Sequence, residues 1–359
     1  MSDFKKIQDR TQSFSAEFDL RVPILLAPMA GACPPSLSIE VTAGGGMGAC
    51  GVLMMTADQI AKWVSDMRKG SNSAFQLNTW IPDPDPIRDR NNETKIQKYL
   101  EKWGPKASRV AADNPIPNFS QQCEAMLSEN PAVISSIMGL YPPKFVSQLK
   151  AKKIKWFATV TTVAEAIQAE QAGADVIVAQ GMEAGGHRGA FQASEAQSNM
   201  VGLFSLLPSI YDAVKTPIVA TGGISDSRGI AAAFILGASA VQIGTGFLRS
   251  PEAGIPRAWS DAIGSANPEN TITSRVFSGR LGRSVRNKYT NSATSSHAPN
   301  PAPYPIQRKL TQAMRDDSIK SNNLDGMQAW TGQSAKLALD IPAKEIVIKL
   351  WDGVQTILD

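Results

Sequence analysis

Eight short apolar runs, many rich in β-branched residues, recur along this chain with helix-forming stretches between them. They occupy residues 24–27, 47–51, 74–78, 132–137, 155–160, 175–180, 217–221 and 240–244. The intervening VAEAIQAEQAGA (163–174) and SRGIAAAFILGA (227–238) are Ala-rich helix formers. Strands that alternate with helices form βα units and a parallel sheet. Eight such units are the count of a (β/α)₈ TIM barrel, whose active sites sit at the carboxyl ends of the strands. A doubly wound open sheet is the competing α/β fold and binds ligands at the same strand ends. Its fingerprint is missing, because no G-x-G-x-x-G follows the first run. GGGMGACG (44–51) only resembles one, and it precedes or enters a strand.

With 359 residues, 43% of them hydrophobic, the chain can bury one large core or two ordinary ones. The expected organisation is a barrel over 14–250, completed by 326–359, with a smaller additional subdomain near the C-terminus (251–325) that covers the site. Residues 79–131 are polar and proline-rich, too long for an ordinary loop, and read as a lid or rim. A net charge of +4, without long Lys/Arg blocks, points away from nucleic acid and suits anionic ligands. Three cysteines (Cys33, Cys50, Cys123) lack metal-type spacing and fit free thiols in a reducing compartment. Cys33 falls close to the 27–29 turn, either beside a ligand or as a small buried side chain. Without a signal-type apolar core or a membrane-length run, a soluble cytoplasmic protein is the expectation. Monomer and homodimer are both open.

The strand ends carry the chemistry. They read APMAG, CGVLMM, QLNTW, SIMG, TVTT, QGMEAGGH, ATGGIS and GTGF. The sixth leads into VAQGMEAGGHRGAF (178–191), which holds His187, one of only two histidines in the chain. Glycine lets the main chain approach a ligand closely, and histidine exchanges protons near neutrality. The seventh and eighth ends, TGGIS (221–225) and QIGTGF (242–247), are glycine turns at the units where barrels frequently bind phosphate. Each alone is also explained as a helix-capping turn; together they point to a phosphate-bearing cofactor.

In order, APMAG (27–31), QGMEAGGHRG (180–189), TGGIS and QIGTGF resemble the nitronate monooxygenase family, as do PPSLSIEVTAGGGMG and AWTGQSAKLA (329–338). The resemblance implies non-covalent FMN in a TIM barrel and oxidation of alkyl nitronates with O₂ to a carbonyl compound and nitrite. By motif it implies that Ala27, Pro28 and Met29 line the flavin edge. Gln76 or Asn78, together with Gln180, would bond the pyrimidine side, and Gly185 would let the backbone approach. Gly222, Gly223, Gln242, Gly244 and Thr245 would hold the ribityl phosphate. Gly246 stands where many relatives carry Arg.

Two roles are open to His187. It can donate a hydrogen bond or positive charge to the nitronate oxygens, or act as the unprotonated base that the resemblance implies for neutral nitroalkanes. Arg188 is expected to face solvent or a backbone partner, and His297, in a Ser/Pro/Asn-rich stretch, the surface. An NAD(P)H-dependent FMN reductase of enoyl or quinone reductase type is the alternative, although no motif for a second dinucleotide is present. A non-catalytic FMN-binding protein is disfavoured by His187 itself, since binding needs no titratable group at the ring. Fold alone decides nothing between these readings.

Overall fold

All eight apolar runs enter one parallel sheet. In the computed structural model, residues 3–108, 110–113 and 116–358 are described. Arg109, Asn114 and Pro115, within the 79–131 stretch, and Asp359 at the end lie outside the described residues. The barrel strands are β1 (Ile24–Leu26), β2 (Gly48–Gly51), β3 (Phe75–Trp80), β4 (Val133–Ile137), β5 (Lys155–Val160) and β6 (Val176–Gln180). After a two-residue strand β7 (Gly186–His187), β8 (Ile218–Thr221) and β9 (Ala240–Ile243) complete the set. The order β1-β9-β8-β6-β5-β4-β3-β2 is closed by a parallel bridge from Leu25 to Met47, with Leu26 N–H donating to Met47 O at 2.9 Å. Ala27 and Gly244 were expected inside strands. They instead leave the ladder at its carboxyl end and wall a cavity.

The bottom of the barrel is sealed by the helix Asp3–Glu17. Its Phe14 and the Phe18 that follows it pack with Phe157 (ring centroids 5.4 Å from Phe18), Leu25, Met47, Val176 and Val219 in a dry plug. Burying aromatic side chains contributes a few kcal/mol each. With that end filled, the cavity opens at the carboxyl end of the strands. At the other end of the chain, the helix Ala343–Leu358 packs on the helices Pro35–Ala43 and Ser227–Ile235, with Ser227 Oγ donating to Leu350 O.

Above the open end lies a second core. Ile96 and Leu100, from the stretch after β3, pack with Phe277, Tyr289, Ile306, Leu310 and Met314. Not all of that stretch is a cover, however. Its helix Phe119–Glu129 lies against the barrel, where Gln122 donates to the carbonyls of Val52, Leu53 and Met55. A three-stranded antiparallel sheet, β10 (Thr271–Ser274), β11 (Gly282–Val285) and β7, joins the cover to the loop after β6. β7 was not foreseen, since two residues carry no periodicity.

The cover is tied down by Arg280, which is 2% exposed and donates through Nε to Asp83 Oδ2 at 2.8 Å and through Nη1 to Ala190 O. Removing one partner of a buried pair leaves the other charge uncompensated. Asp83→Asn is therefore expected to lower unfolding free energy by about 2–3 kcal/mol, read as a lower urea midpoint at unchanged slope. An unchanged midpoint would show that the pair is solvated.

Candidate active site

The cavity at the carboxyl ends of the strands has a volume of about 360 Å³. Ala27, Pro28, Met29, Asn78, Gln180, Gly185, His187, Gly222, Gly223, Gln242, Gly244 and Thr245 all lie on its wall. Gln76 does not. It is fully buried behind the wall, where Nε2 donates to Gln242 Oε1 (2.9 Å) and Leu26 O (3.1 Å), and Oε1 accepts from Ser135 Oγ. Of the two candidates on β3, only Asn78 reaches the cavity: two residues apart, they share a face of the strand, and Asn78 stands nearer its carboxyl end.

The two glycine turns sit beside each other. Gly222 and Gly223 have φ of +103° and +71°, values that L side chains rarely adopt. A Cβ on Gly223 would also lie 3.0 Å from Glu183 Cβ. Among the described residues, the main-chain amides of Gly222, Gly223, Gly244 and Thr245 find no acceptor. Four unsatisfied donors at adjacent strand ends fit a phosphate group. No such opening explains Gly185: its missing Cβ makes room for Gly332 N and Thr331 C, 2.5 and 2.7 Å from where it would stand. Gly246 is buried, and a Cβ there would meet Ile243 Cγ2 at 2.7 Å, so this backbone leaves no space for a longer residue.

His187 is held by its loop. Its carbonyl accepts from Gln180 Nε2 (3.1 Å), whose Oε1 accepts from Gly189 N–H (2.8 Å). Next in sequence, Arg188 is 6% exposed and donates to the carbonyls of Gln180, Thr161 and Asn199. It therefore faces the backbone rather than solvent, and it lies off the cavity wall. Glu165 completes the frame. It caps its own helix through Oε2, which accepts from Thr161 and Thr162 N–H, and its Oε1 accepts from Phe191 N–H at 2.7 Å.

The His187 ring packs between Trp80 and Trp330, with centroids 4.6 and 4.7 Å away, and its Nε2 lies 2.7 Å from Ser278 Oγ. Burial, then the fields of Arg308, Arg280 and Arg315, hold its pKa well below the ordinary 6.5. The imidazole is neutral at pH 7, so the positively charged role is closed to it. His297 is exposed, as expected.

Positive charge enters the cavity from elsewhere. Arg308 and Arg315 lie on its wall, from the helices Ile306–Leu310 and Gln312–Lys320. Arg315 is 7% exposed and has no carboxylate partner among the described residues. It donates to Thr311 Oγ1, Gln328 Oε1 and Arg308 O, and burial brings its pKa down to about 9. The Arg308 side chain makes no hydrogen bond or ion pair among the described residues. Gln328 Nε2 and Tyr304 Oη are buried without a partner among the described residues. Sequence reading missed this donor cluster. Its two arginines come from separate helices, so no periodicity within one element marks them. Cys33 is structural: its Sγ accepts from Met29 N–H and donates to Ala27 O, and burial raises its pKa to about 12.

Comparison with known proteins matches residues 12–353 to the family described as nitronate monooxygenase. A probable nitronate monooxygenase of Staphylococcus aureus is 32% identical over 354 residues, 97% of either chain. Among solved structures, a nitroalkane oxidase from Streptomyces ansochromogenes superposes with a TM-score of 0.87 at 30% identity, covering 96% of this chain and 100% of that one. FabK from Thermotoga maritima superposes at 0.76 with 25% identity, covering 96% of each chain.

The glycine turn is open to direct test. Gly223→Val adds a branched side chain where φ is positive and Glu183 Cβ is 3.0 Å away. The purified variant should retain its circular dichroism spectrum and lose most flavin absorbance. Loss of fold together with flavin would assign Gly223 to structure alone.

Proposed function

The chain belongs to the nitronate monooxygenase family, and on that premise we propose that the cavity holds FMN and that His187 is its catalytic base. Flavin-dependent oxidation of nitronates is the activity of the family. The finer reading is that alkyl nitronates, and neutral nitroalkanes after deprotonation, react with O₂ to give a carbonyl compound and nitrite.

Bound FMN supplies the electron-accepting chemistry, and the protein supplies binding and orientation. Ala27, Pro28 and Met29 would flank the ring system; Asn78 and Gln180 would offer amide groups to its polar edge. The free amides of Gly222, Gly223, Gly244 and Thr245 take the phosphate. Residues 251–325 and the segment after β3 close over the site and keep water from it.

A nitronate is an anion, and it enters a site whose wall carries two guanidinium groups without carboxylate partners among the described residues. In a partly dry cavity such charges act strongly on an anion. A neutral nitroalkane first has to lose its α-proton, and the neutral imidazole of His187 is the group able to take it. This neutral, cavity-facing imidazole among guanidiniums is the observation that carries the reading.

His187→Asn is expected to reduce kcat/KM for nitroethane by roughly 10²–10⁴-fold, the usual contribution of a general base. Oxidation of pre-formed ethylnitronate should fall much less, at unchanged flavin content. Equal losses on both substrates would remove the base assignment. Because the folded-state pKa of His187 is depressed, the imidazole stays unprotonated as pH falls through 6.5. Wild-type kcat/KM for nitroethane should thus hold at pH 6.5 and decline only at lower pH; a decline centred at or above that value would contradict it. Arg308→Met should raise KM for ethylnitronate roughly tenfold or more, as for loss of a charged hydrogen bond, with kcat little changed. An unchanged KM would place the anion elsewhere.

A further inference from the structure

An imidazole can act as a base only through the nitrogen that carries no proton, and Ser278 bears on which of the two that is. We propose that Ser278 holds His187 as the Nε2–H tautomer, so that Nδ1 is the atom that takes the α-proton of a nitroalkane. The proposal rests on the base reading above and deepens it: it names the reacting atom and a positioning residue.

Three contacts converge on Ser278, whose side chain is fully buried. His187 Nε2 is 2.7 Å from Oγ, Arg280 N–H donates to Oγ at 3.3 Å, and Oγ donates to Arg280 O at 3.2 Å. A hydroxyl has one proton and two lone pairs. If the proton goes to Arg280 O, the lone pairs accept from Arg280 N–H and from His187 Nε2–H, and every group is satisfied. If it goes instead to His187 Nε2, the carbonyl of Arg280 loses its only partner among the described residues. That residue is 2% exposed. Leaving a buried carbonyl unpaired is destabilising, which favours the first arrangement.

Nδ1 has no partner among the described residues, and the ring lies on the cavity wall between Trp80 and Trp330. In the proton transfer, the α-C–H bond breaks, an Nδ1–H bond forms, and the electron pair stays on the substrate as nitronate. Nε2–H keeps its bond to Ser278 throughout, so the imidazolium is oriented without any carboxylate partner. The opposite tautomer would present Nδ1–H to the cavity. That form donates to a nitronate oxygen but cannot deprotonate a nitroalkane.

Only two histidines are present, and His297 is exposed, which makes the tautomer readable in the intact, flavin-loaded protein. Long-range ¹H–¹⁵N correlation spectra of ¹⁵N-histidine-labelled protein at pH 7.5 distinguish the two tautomers and the imidazolium. His297→Asn assigns the signals. The wild type should show His187 with Nε2 protonated and Nδ1 bare, and Ser278→Ala should give a mixture. The same variant should lose roughly tenfold in kcat/KM for nitroethane, as for loss of a histidine-orienting partner, with ethylnitronate turnover nearly retained. An Nδ1–H tautomer or an imidazolium in the wild type overturns the proposal, as does an unaltered single tautomer in Ser278→Ala. These outcomes are separate from failure of the base reading. A wrong tautomer leaves the contrast between substrates in His187→Asn intact, whereas equal losses in that variant sink the base reading whatever the tautomer.

Discussion

The loop that carries His187 hangs on one buried guanidinium. Arg188 joins the end of β5 (Thr161), the end of β6 (Gln180) and the approach to the following helix (Asn199) through three carbonyls. Among the described residues no carboxylate is within ion-pair distance; Glu165 and Glu183 act on it only through space, and burial brings its pKa to about 10, so it stays charged at neutrality. A buried charge is tolerated only when hydrogen-bonded, and here the hydrogen bonds are the backbone of the loop itself. Glu165 repeats the device with opposite sign, holding Phe191 N–H and the start of its own helix. Between these two anchors the chain has little freedom, and the imidazole is placed before any ligand arrives. Such preorganisation is what a proton-transferring group requires.

Cation placement then sets what the site can do. Arg280, Arg308 and Arg315 come from the cover rather than from the barrel, and their fields depress the basicity of His187. The same fields favour an anion over the flavin site. An anion-attracting wall suits a substrate that arrives as nitronate. Net charge says nothing of this arrangement, since it depends on which arginines are denied carboxylates.

Much of the barrel was legible because its strands are short, apolar and end in glycine, asparagine or glutamine. What could not be read depends on contacts distant in sequence. Ser278 meets His187 across 91 residues, and Asp83 meets Arg280 across 197. Gln76 and Asn78 are indistinguishable as strand-end amides until the register shows that one supports Gln242 from behind the wall. Gly185 looks like a ligand-facing glycine in its motif, yet its missing side chain accommodates the 331–332 backbone.

The central claim is that the cavity oxidises nitronates directly. Anaerobic mixing of the purified flavin-loaded protein with ethylnitronate, and separately with NADH or NADPH, tests it by following flavin absorbance. The account predicts rapid bleaching by ethylnitronate and none of comparable rate by either nucleotide. Rapid bleaching by a nucleotide, with ethylnitronate inert, would contradict it and assign the site to a reductase.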